Sequence, residues 1–385
     1  MGDFDILIVG GGLAGSMVAL GSARMGFNTA LISPSSCFQD FRTTMLMDEG
    51  IHFLQEIELW DSLQYVSSPV LAINFLDLTG SLITAPNSIF RASEIGLDQF
   101  GYNFPNHALM TIMQKEISRH PLIHHFDALA KEIQINSTEV TTILSSGEEI
   151  SGRLLIGSDG RHSHVRQKLG FGEKKWHYPQ TALVLNFKHS IPHRGLCTEF
   201  HRFPGPFTQV PLVGDVSSLV WIMDPQEAKT YRELSIQEIA RRIEGYLHAI
   251  LGDIEIITEV QSFPLSAMVS HRFGKGRAVL VGEAAHALSP ICAQGLNSST
   301  RDAIVLLNLL KKNKVSSFDC IGDAFHDFRR GDVLQRVIGT DLLNRSLFSK
   351  YPFLQILRAG TFYALERMVP LRHQMLRRSL FLRDF

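Results

Sequence analysis

Apolar residues in this 385-residue chain gather in short runs bounded by glycine. Phe4-Asp-Ile-Leu-Ile-Val9 has the length and near-continuous apolar character of a buried parallel strand. The glycines that follow, and a small-residue stretch to about Gly26, predict a turn and a helix, and Thr29-Ala-Leu-Ile-Ser33 predicts the next strand, making a βαβ unit. Leu54, Ile57 and Leu59 are spaced for one face of a helix after Gly50. From about Val70 to Ile95 the chain becomes strand-like and turn-rich, as an excursion into a second lobe would, and Asn106 to Ile117 predicts a helix that returns. Glu139–Ile150 reads as a hairpin turning at Ser145-Ser146-Gly147, and Leu154–Gly157 as another buried strand. Residues 178–264 alternate polar and apolar, the pattern of a sheet over a pocket, with a helix near Ile236–Leu251. A last buried strand at Ala278–Val281, a helix from about Leu296 to Leu310 and a mostly helical 333–385 complete the pattern.

The fold class expected is therefore α/β with an α+β second lobe. A Rossmann-like nucleotide-binding domain (1–72, 98–177 and 265–332) is interleaved with a β-sheet substrate domain (73–97 and 178–264), and C-terminal helices (333–385) follow. The length agrees, because 385 residues exceed what a single core usually organises. With 45% hydrophobic and 19% charged residues the composition is that of a folded protein, and a net charge of −1 gives no pull toward nucleic acid. Cys37, Cys197, Cys292 and Cys320 lie far apart, which argues against a metal site or a disulfide framework and suits the reducing cytoplasm. The first apolar run is too short for a signal peptide, and no run of 18 apolar residues predicts a spanning helix.

Candidate chemistry starts at Gly10-Gly11-Gly12-Leu13-Ala14-Gly15, a G-x-G-x-x-G between predicted strand and helix. Gly10 permits the tight turn, Gly12 lets backbone approach a pyrophosphate, and Gly15 lets helix pack on strand; the helix start supplies N–H donors to the phosphates. The second strand ends in Ser33 where an acidic ribose partner is expected. Two readings stand: Ser33 makes a weaker uncharged hydrogen bond to the ribose, or it only opens the turn before Pro34.

Two later segments carry a family resemblance. Gly157-Ser158-Asp159-Gly160 with Ser163 and Val165-Arg166 resembles the G-A-D-G-x-x-S-x-V-R motif of the FAD-dependent aromatic-ring monooxygenases. Gly282-Glu283-Ala284-Ala285-His286, Pro290 and Gln294-Gly295-Leu296-Asn297 resemble that family's G-D-A-A-H…P…G-Q-G-x-N signature, with Glu283 for the usual aspartate. The resemblance implies FAD as cofactor and NAD(P)H as co-substrate. Asp159 and Gly160 would serve a ribose and the passage of NAD(P)H, Gly282 and Glu283 the ribityl chain, Pro290 the ring, and Gln294 to Asn297 the pyrimidine end. Arg166 either pairs with Asp159 to hold the loop or contacts the cofactor, and His286 is structural in one reading and catalytic in the other. Cys292-Ala293 and Ser298-Ser299 depart from the family pattern, and their side chains would narrow the approach to the ring.

Over nearly its whole length the chain is most similar to the ubiquinone-biosynthesis hydroxylases. The matching residues are Asp40-Phe41-Arg42-Thr43-Thr44, Phe90–Gly96, Asn106, Gly205-Pro206-Phe207, Leu219-Val-Trp221 and Phe328-Arg329. In that branch the arginine at position 42 would contact FAD. The activity implied is hydroxylation of an electron-rich phenol ring, through a C4a-hydroperoxyflavin, on a polyprenyl phenol. The alternatives are another aromatic substrate, or a flavin-binding accessory subunit of a quinone-biosynthesis complex. No catalytic base is evident; His189, His193 and His201, expected as exposed sheet residues, are weak candidates. From Tyr351 to Phe385 six arginines interleave with Phe353, Leu354, Phe362, Leu376, Leu380 and Phe381. That segment reads either as a peripheral membrane or partner surface, most of all over Arg377 to Arg383, or as a helix packed on the main body.

Overall fold

The computed structural model describes residues 3–35, 39–80, 84–290, 293–312, 318–348 and 352–379. Cys37, Cys292, Tyr351, Leu380, Phe381 and Arg383 lie outside them, as do the side chains of Phe353 and Leu354.

The first strand, Phe4–Val9, is buried along its last four residues and pairs in parallel with Thr29–Ile32 on one side and Glu149–Gly157 on the other. Ile123–Phe126 and Ala278–Leu280 extend the parallel set at its two edges. Leu13–Arg24 crosses between the first two strands and packs against Gln294–Lys312. This helix has almost no polar face: Ser16, Met17, Val18, Ala19, Leu20 and Ser22 are all fully buried. Its small residues let it lie between the sheet and its neighbours, as at Gly21, where an added Cβ would come within 2.3 Å of Leu307 Cδ1.

The hairpin at Ser145-Ser146-Gly147 is present, with Val140–Leu144 antiparallel to Glu149–Gly157. Its second arm and the buried strand expected at Leu154–Gly157 are one continuous strand, half in the hairpin and half in the parallel set. The helix read after Gly50 starts earlier, at Asp48, and puts Asp48 and Glu49 in its first turn, where the dipole favours acid. A second helix, Pro225–Glu233, was not read; it precedes Ile236–Tyr246, which ends short of Leu251. Asp224 caps the former with Pro225 at its first turn, and Ser235 and Glu238 form a capping box on the latter.

Residues 72–77 and 88–91, far apart in sequence from 173–270, join them in one nine-stranded sheet that also takes in His286–Ala287. Alternation sorts its side chains. Leu183, Phe187, Phe207, Leu219 and Trp221 pack under the two helices at 225–246. On the opposite face Ile73, Cys197 and Val210 pack with Met45 and Met47 of a small three-stranded sheet, with Ala293, and with Phe362, Leu365, Met375 and Leu376 of the C-terminal helices. The helix Ile321–Phe348 runs unbroken through residue 333, and Pro352–Arg367 and Val369–Ser379 follow it. The last of these is fastened by Arg372, which lies 4.3 Å over the Phe90 ring and ion-pairs with Glu94.

Candidate functional site

Each glycine of the first turn has its own reason. Gly10 has φ +108°, and a Cβ there would meet Ser158 O at 2.4 Å; a Cβ on Gly15 would stand 1.9 Å from Gly10 O. Both are required by the protein's own packing. A Cβ on Gly12 would meet nothing within 4 Å, so the backbone at the helix start faces open space. A Cβ on Gly11 would strike Ser33 Oγ at 2.4 Å, which brings the end of the second strand against the turn. Ser33 Oγ donates to Pro34 O at 3.3 Å, and the carboxylate nearby belongs instead to Asp127, which accepts from Ser35 N and Ser35 Oγ at 2.8 Å each.

The second segment is bonded to the first: Ser158 Oγ donates to Gly10 O at 2.7 Å, and Ser158 N to Val9 O at 2.7 Å. Asp159 accepts from Ser163 Oγ and, at 3.1 Å, from Val165 N, so it closes its own loop; Gly160 takes φ +79°. Arg166 does not pair with Asp159. It is 2% exposed and ion-pairs with Glu173 while donating to Ala284 O at 2.8 Å and Arg161 O at 2.9 Å. Two carbonyls and a carboxylate on three segments take up its Nη1 and Nη2 donors, and Arg166 thereby staples the Asp159 loop to the third segment.

That third segment is crowded. Gly282, at φ +60°, would place a Cβ 2.9 Å from Ala14 Cβ and 3.2 Å from Ser299 Oγ, so the first helix, the 282 turn and the 294–312 helix meet there. Glu283 is exposed, and Arg161 grips its Oε1 through Nε at 3.0 Å and Nη2 at 2.8 Å. Beneath it, fully buried Asp302 accepts from Gly282 N at 2.9 Å, Arg329 Nε at 2.7 Å and His286 Nε2 at 2.7 Å. Burial opposes ionisation of Asp302, but His286 and Arg329 outweigh it and hold the carboxyl below its ordinary range. His286 is therefore part of this buried network. Neither Asp302 nor Arg161 was singled out as a site residue from sequence. The signal for Arg161 was the longer Glu283, whose extra methylene extends its carboxylate toward a partner.

Asn297 ties the helix start to the small sheet, accepting from Met47 N at 2.9 Å and donating to Met45 O at 2.7 Å. Gln294 is buried and receives Arg336 Nη1 at 3.4 Å; Leu296 is half-buried, Pro290 is exposed, and a Cβ on Gly295 would meet nothing within 4 Å. Ser298 and Ser299 are buried away from the open side: Ser298 O accepts from Arg329 at 3.2 Å and Ser299 Oγ donates to Gly295 O at 3.1 Å. They do not narrow the approach in the way expected of them. Across the opening, Arg42 is bound to Asp40 by Nε at 2.8 Å and Nη2 at 2.7 Å. Asn106 Nδ2 donates to Asp40 Oδ2 at 3.0 Å, and the Arg42 guanidinium lies 4.9 Å over the Phe263 ring. Burial would raise the Asp40 carboxyl, yet Arg42 more than offsets that and lowers it.

The three histidines expected to be exposed are not. His189 is 6% exposed, with both ring nitrogens engaged, Nδ1 by Ile191 O and Nε2 by Ser217 Oγ at 3.0 Å each. Half-buried His193 is likewise satisfied, by Leu212 O and Gly195 N. His201 is 5% exposed and sits on the opposite face, toward the Cys197 side of the sheet. Cross-strand packing, invisible in alternation alone, buried them.

A model of the FAD binding domain family matches residues 3–314. A ubiquinone hydroxylase (UbiL) of Rhodospirillum rubrum is 30% identical over 391 aligned positions, covering 98% of this chain and 89% of its own. The chain belongs to the FAD-binding hydroxylase family of ubiquinone biosynthesis. The 3-demethoxyubiquinol 3-hydroxylase of Escherichia coli is 26% identical, with 98% of each chain covered. The p-nitrophenol 4-monooxygenase of Pseudomonas putida shares the fold, with a TM-score of 0.80 at 18% identity over 99% of each chain.

The residues fit FAD. The space left at Gly12 and Gly295 is where a Cβ would obstruct a bound group, whereas Gly10, Gly15 and Gly282 are glycine because protein atoms already fill the place of a side chain. The helix starts at Leu13 and Gln294 offer backbone N–H donors suited to a diphosphate, while Arg42 and Arg161 are neutralised by Asp40 and Glu283.

Proposed function

We propose that this protein is an FAD-dependent monooxygenase that uses NAD(P)H and O2 to hydroxylate the ring of a polyprenyl phenol intermediate of ubiquinone biosynthesis. The observation that carries this reading is the convergence of the Gly10, Asp159 and Gly282 segments beside the apolar cluster on one face of the nine-stranded sheet. Flavin, when bound and reduced, supplies the activation of O2 and the oxygen atom delivered to the ring. The chain's own residues bind, orient and keep water out. Gly12, Leu13, Ala14 and the helix behind them hold the pyrophosphate, with Gly10 and Gly15 shaping the turn and Ser33 beside it. Asp159, Gly160 and Arg166 fix the second loop. Arg42 and Asn106 flank the opening with Asp40, and Gly282, Glu283, Pro290, Gln294, Gly295, Leu296 and Asn297 form the ribityl and ring end. Deleting the gene tests the reading: a prenylated phenol lacking one ring hydroxyl should accumulate, and an unchanged quinone pool would refute it.

A lipidic substrate must come from a membrane, and no helix among the described residues is long and apolar enough to cross one. The corner between the last two helices is suited to touching one. Met368, Val369 and Leu371 are 55%, 53% and 40% exposed, beside exposed Arg367 and Arg377. This corner meets the anionic membrane surface, and the inward faces of the same helices pack on the apolar face of the nine-stranded sheet. Val369→Asp should cut co-sedimentation with phosphatidylglycerol vesicles without changing flavin content; equal sedimentation of both proteins counts against the contact.

A further inference from the structure

Along the strand Leu196–His201, alternation puts Glu199 and His201 on the same face as Cys197, the face that packs with the apolar cluster beneath the C-terminal helices. His201 lies between two aromatic rings, 5.5 Å from Phe75 and 5.9 Å from Phe362 of the C-terminal helices. Its Nε2 is 2.7 Å from Glu199 Oε1, and Thr208 Oγ1 donates to Oε2 at 3.4 Å. An ionised carboxylate only accepts, so Nε2 is the donor and, in the neutral ring, Nδ1 carries the lone pair. No hydrogen bond from any described residue engages Nδ1.

The surrounding charges are few. Asp77 is the cross-strand partner of His201, but its carboxylate accepts from Thr79 N, Thr79 Oγ1 and Ala85 N. Arg202 points to the other face, 3.9 Å over Tyr246, and on the C-terminal helix Glu366 and Arg367 face outward. Burial, with the charge of Glu199, pushes the Cys197 thiol up, which places that carboxylate's field within this apolar face. A polar pair set into an apolar wall needs a partner for its remaining lone pair, and a bound phenol supplies one.

We propose that His201, oriented by Glu199, accepts the proton of the substrate's phenolic hydroxyl. The inference rests on the reading that a phenol is hydroxylated at this face of the sheet. The phenol O–H bond breaks and an N–H bond forms at Nδ1. The ring becomes a phenolate, more nucleophilic toward electrophilic oxygen, while Glu199 faces the imidazolium. After transfer of a hydroxyl group to a ring carbon, that carbon loses its hydrogen as a proton to the oxygen left on the donor, and the proton held at Nδ1 returns to the phenolate oxygen of the product, so the residue ends as it began.

The test uses the FAD-loaded full chain, a prenylated phenol and His201→Gln, which keeps size and a hydrogen bond but not basicity. Expected are flavin content and phenol-free flavin reduction by NAD(P)H equal to wild type. With phenol, kcat/KM should fall about 100-fold, the usual lower bound for a lost general base, with the low-pH limb of its pH profile abolished. Glu199→Gln should show a smaller fall and a shifted limb, and it serves if His201→Gln does not fold. Difference spectra of bound 4-nitrophenol should show the phenolate with wild type and the neutral phenol with the variant. If wild type hydroxylates phenols and His201→Gln matches it with the limb intact, this inference alone is overturned. If wild type hydroxylates none, the functional reading falls with it.

Discussion

Replacing Arg329 with methionine removes one member of the buried network under the Gly282 turn while keeping most of the side-chain volume. In the native protein Arg329 donates to Asp302, to Ser298 O and to Asp332, and only 2% of its side chain is exposed. Without it, Asp302 remains fully buried with its charge facing one histidine and one backbone N–H. Breaking a buried pair in this way costs about 3–5 kcal/mol, because the orphaned charge loses both water and partner. The pH dependence should also change sign. In wild type the folded Asp302 carboxyl lies below its ordinary value of 3.8, so its contribution is present above that value and fades as pH falls through the lower folded value. In Arg329→Met, burial is no longer outweighed and the folded carboxyl rises. Protonation then relieves the orphaned charge, so the deficit shrinks as pH falls from 8 toward 5. Urea unfolding of the flavin-free protein across that range measures it. A loss below about 1 kcal/mol, or a deficit constant with pH, would refute the claim that Arg329 neutralises Asp302.

Two further substitutions separate packing from ligand binding. Gly15→Ala, whose Cβ would stand 1.9 Å from a backbone oxygen, should destabilise the flavin-free protein by about 1–3 kcal/mol; Gly12→Ala, whose Cβ meets nothing, should leave its unfolding midpoint unchanged yet lower flavin retention on a desalting column. If both variants kept flavin equally, the turn would not be the pyrophosphate site. Ala293 has φ +52°, a left-handed conformation costing a non-glycine residue about 1–2 kcal/mol. Ala293→Gly should therefore raise stability by about 0.5–1 kcal/mol after the glycine's extra unfolded-state entropy is deducted. A clear fall in the unfolding midpoint would show that its methyl's packing on the apolar cluster matters more than the strain.

The strands at 4–9 and 29–32 and the glycine turn between them were legible in the sequence because short-range rules set them: apolar runs make buried strands, and the turn demands glycine. The hairpin at 145–147 and the helix at 106 were legible for the same reason. The Asp159 and Glu283 segments were recognisable, but their partners were not. Arg166 meets Glu173 and Ala284 rather than Asp159, and Arg161 meets Glu283 across 122 positions, because a charged side chain takes whichever acceptor packing brings near. Asp302 and Arg329 sit 27 residues apart on different helices, and nothing local marks them as a pair. The histidines show the same division. Alternation put His189 and His201 in sheet strands, and both lie at inward positions, His189 on one face and His201 on the other. The packing of helices 225–246 and 352–379 onto the two faces buried both, His201 against Phe362. By itself, then, the sequence determined the local elements and the types of residue at the site. Which of those residues touch was decided by contacts between segments remote along the chain, and that required the assembled sheets and helices.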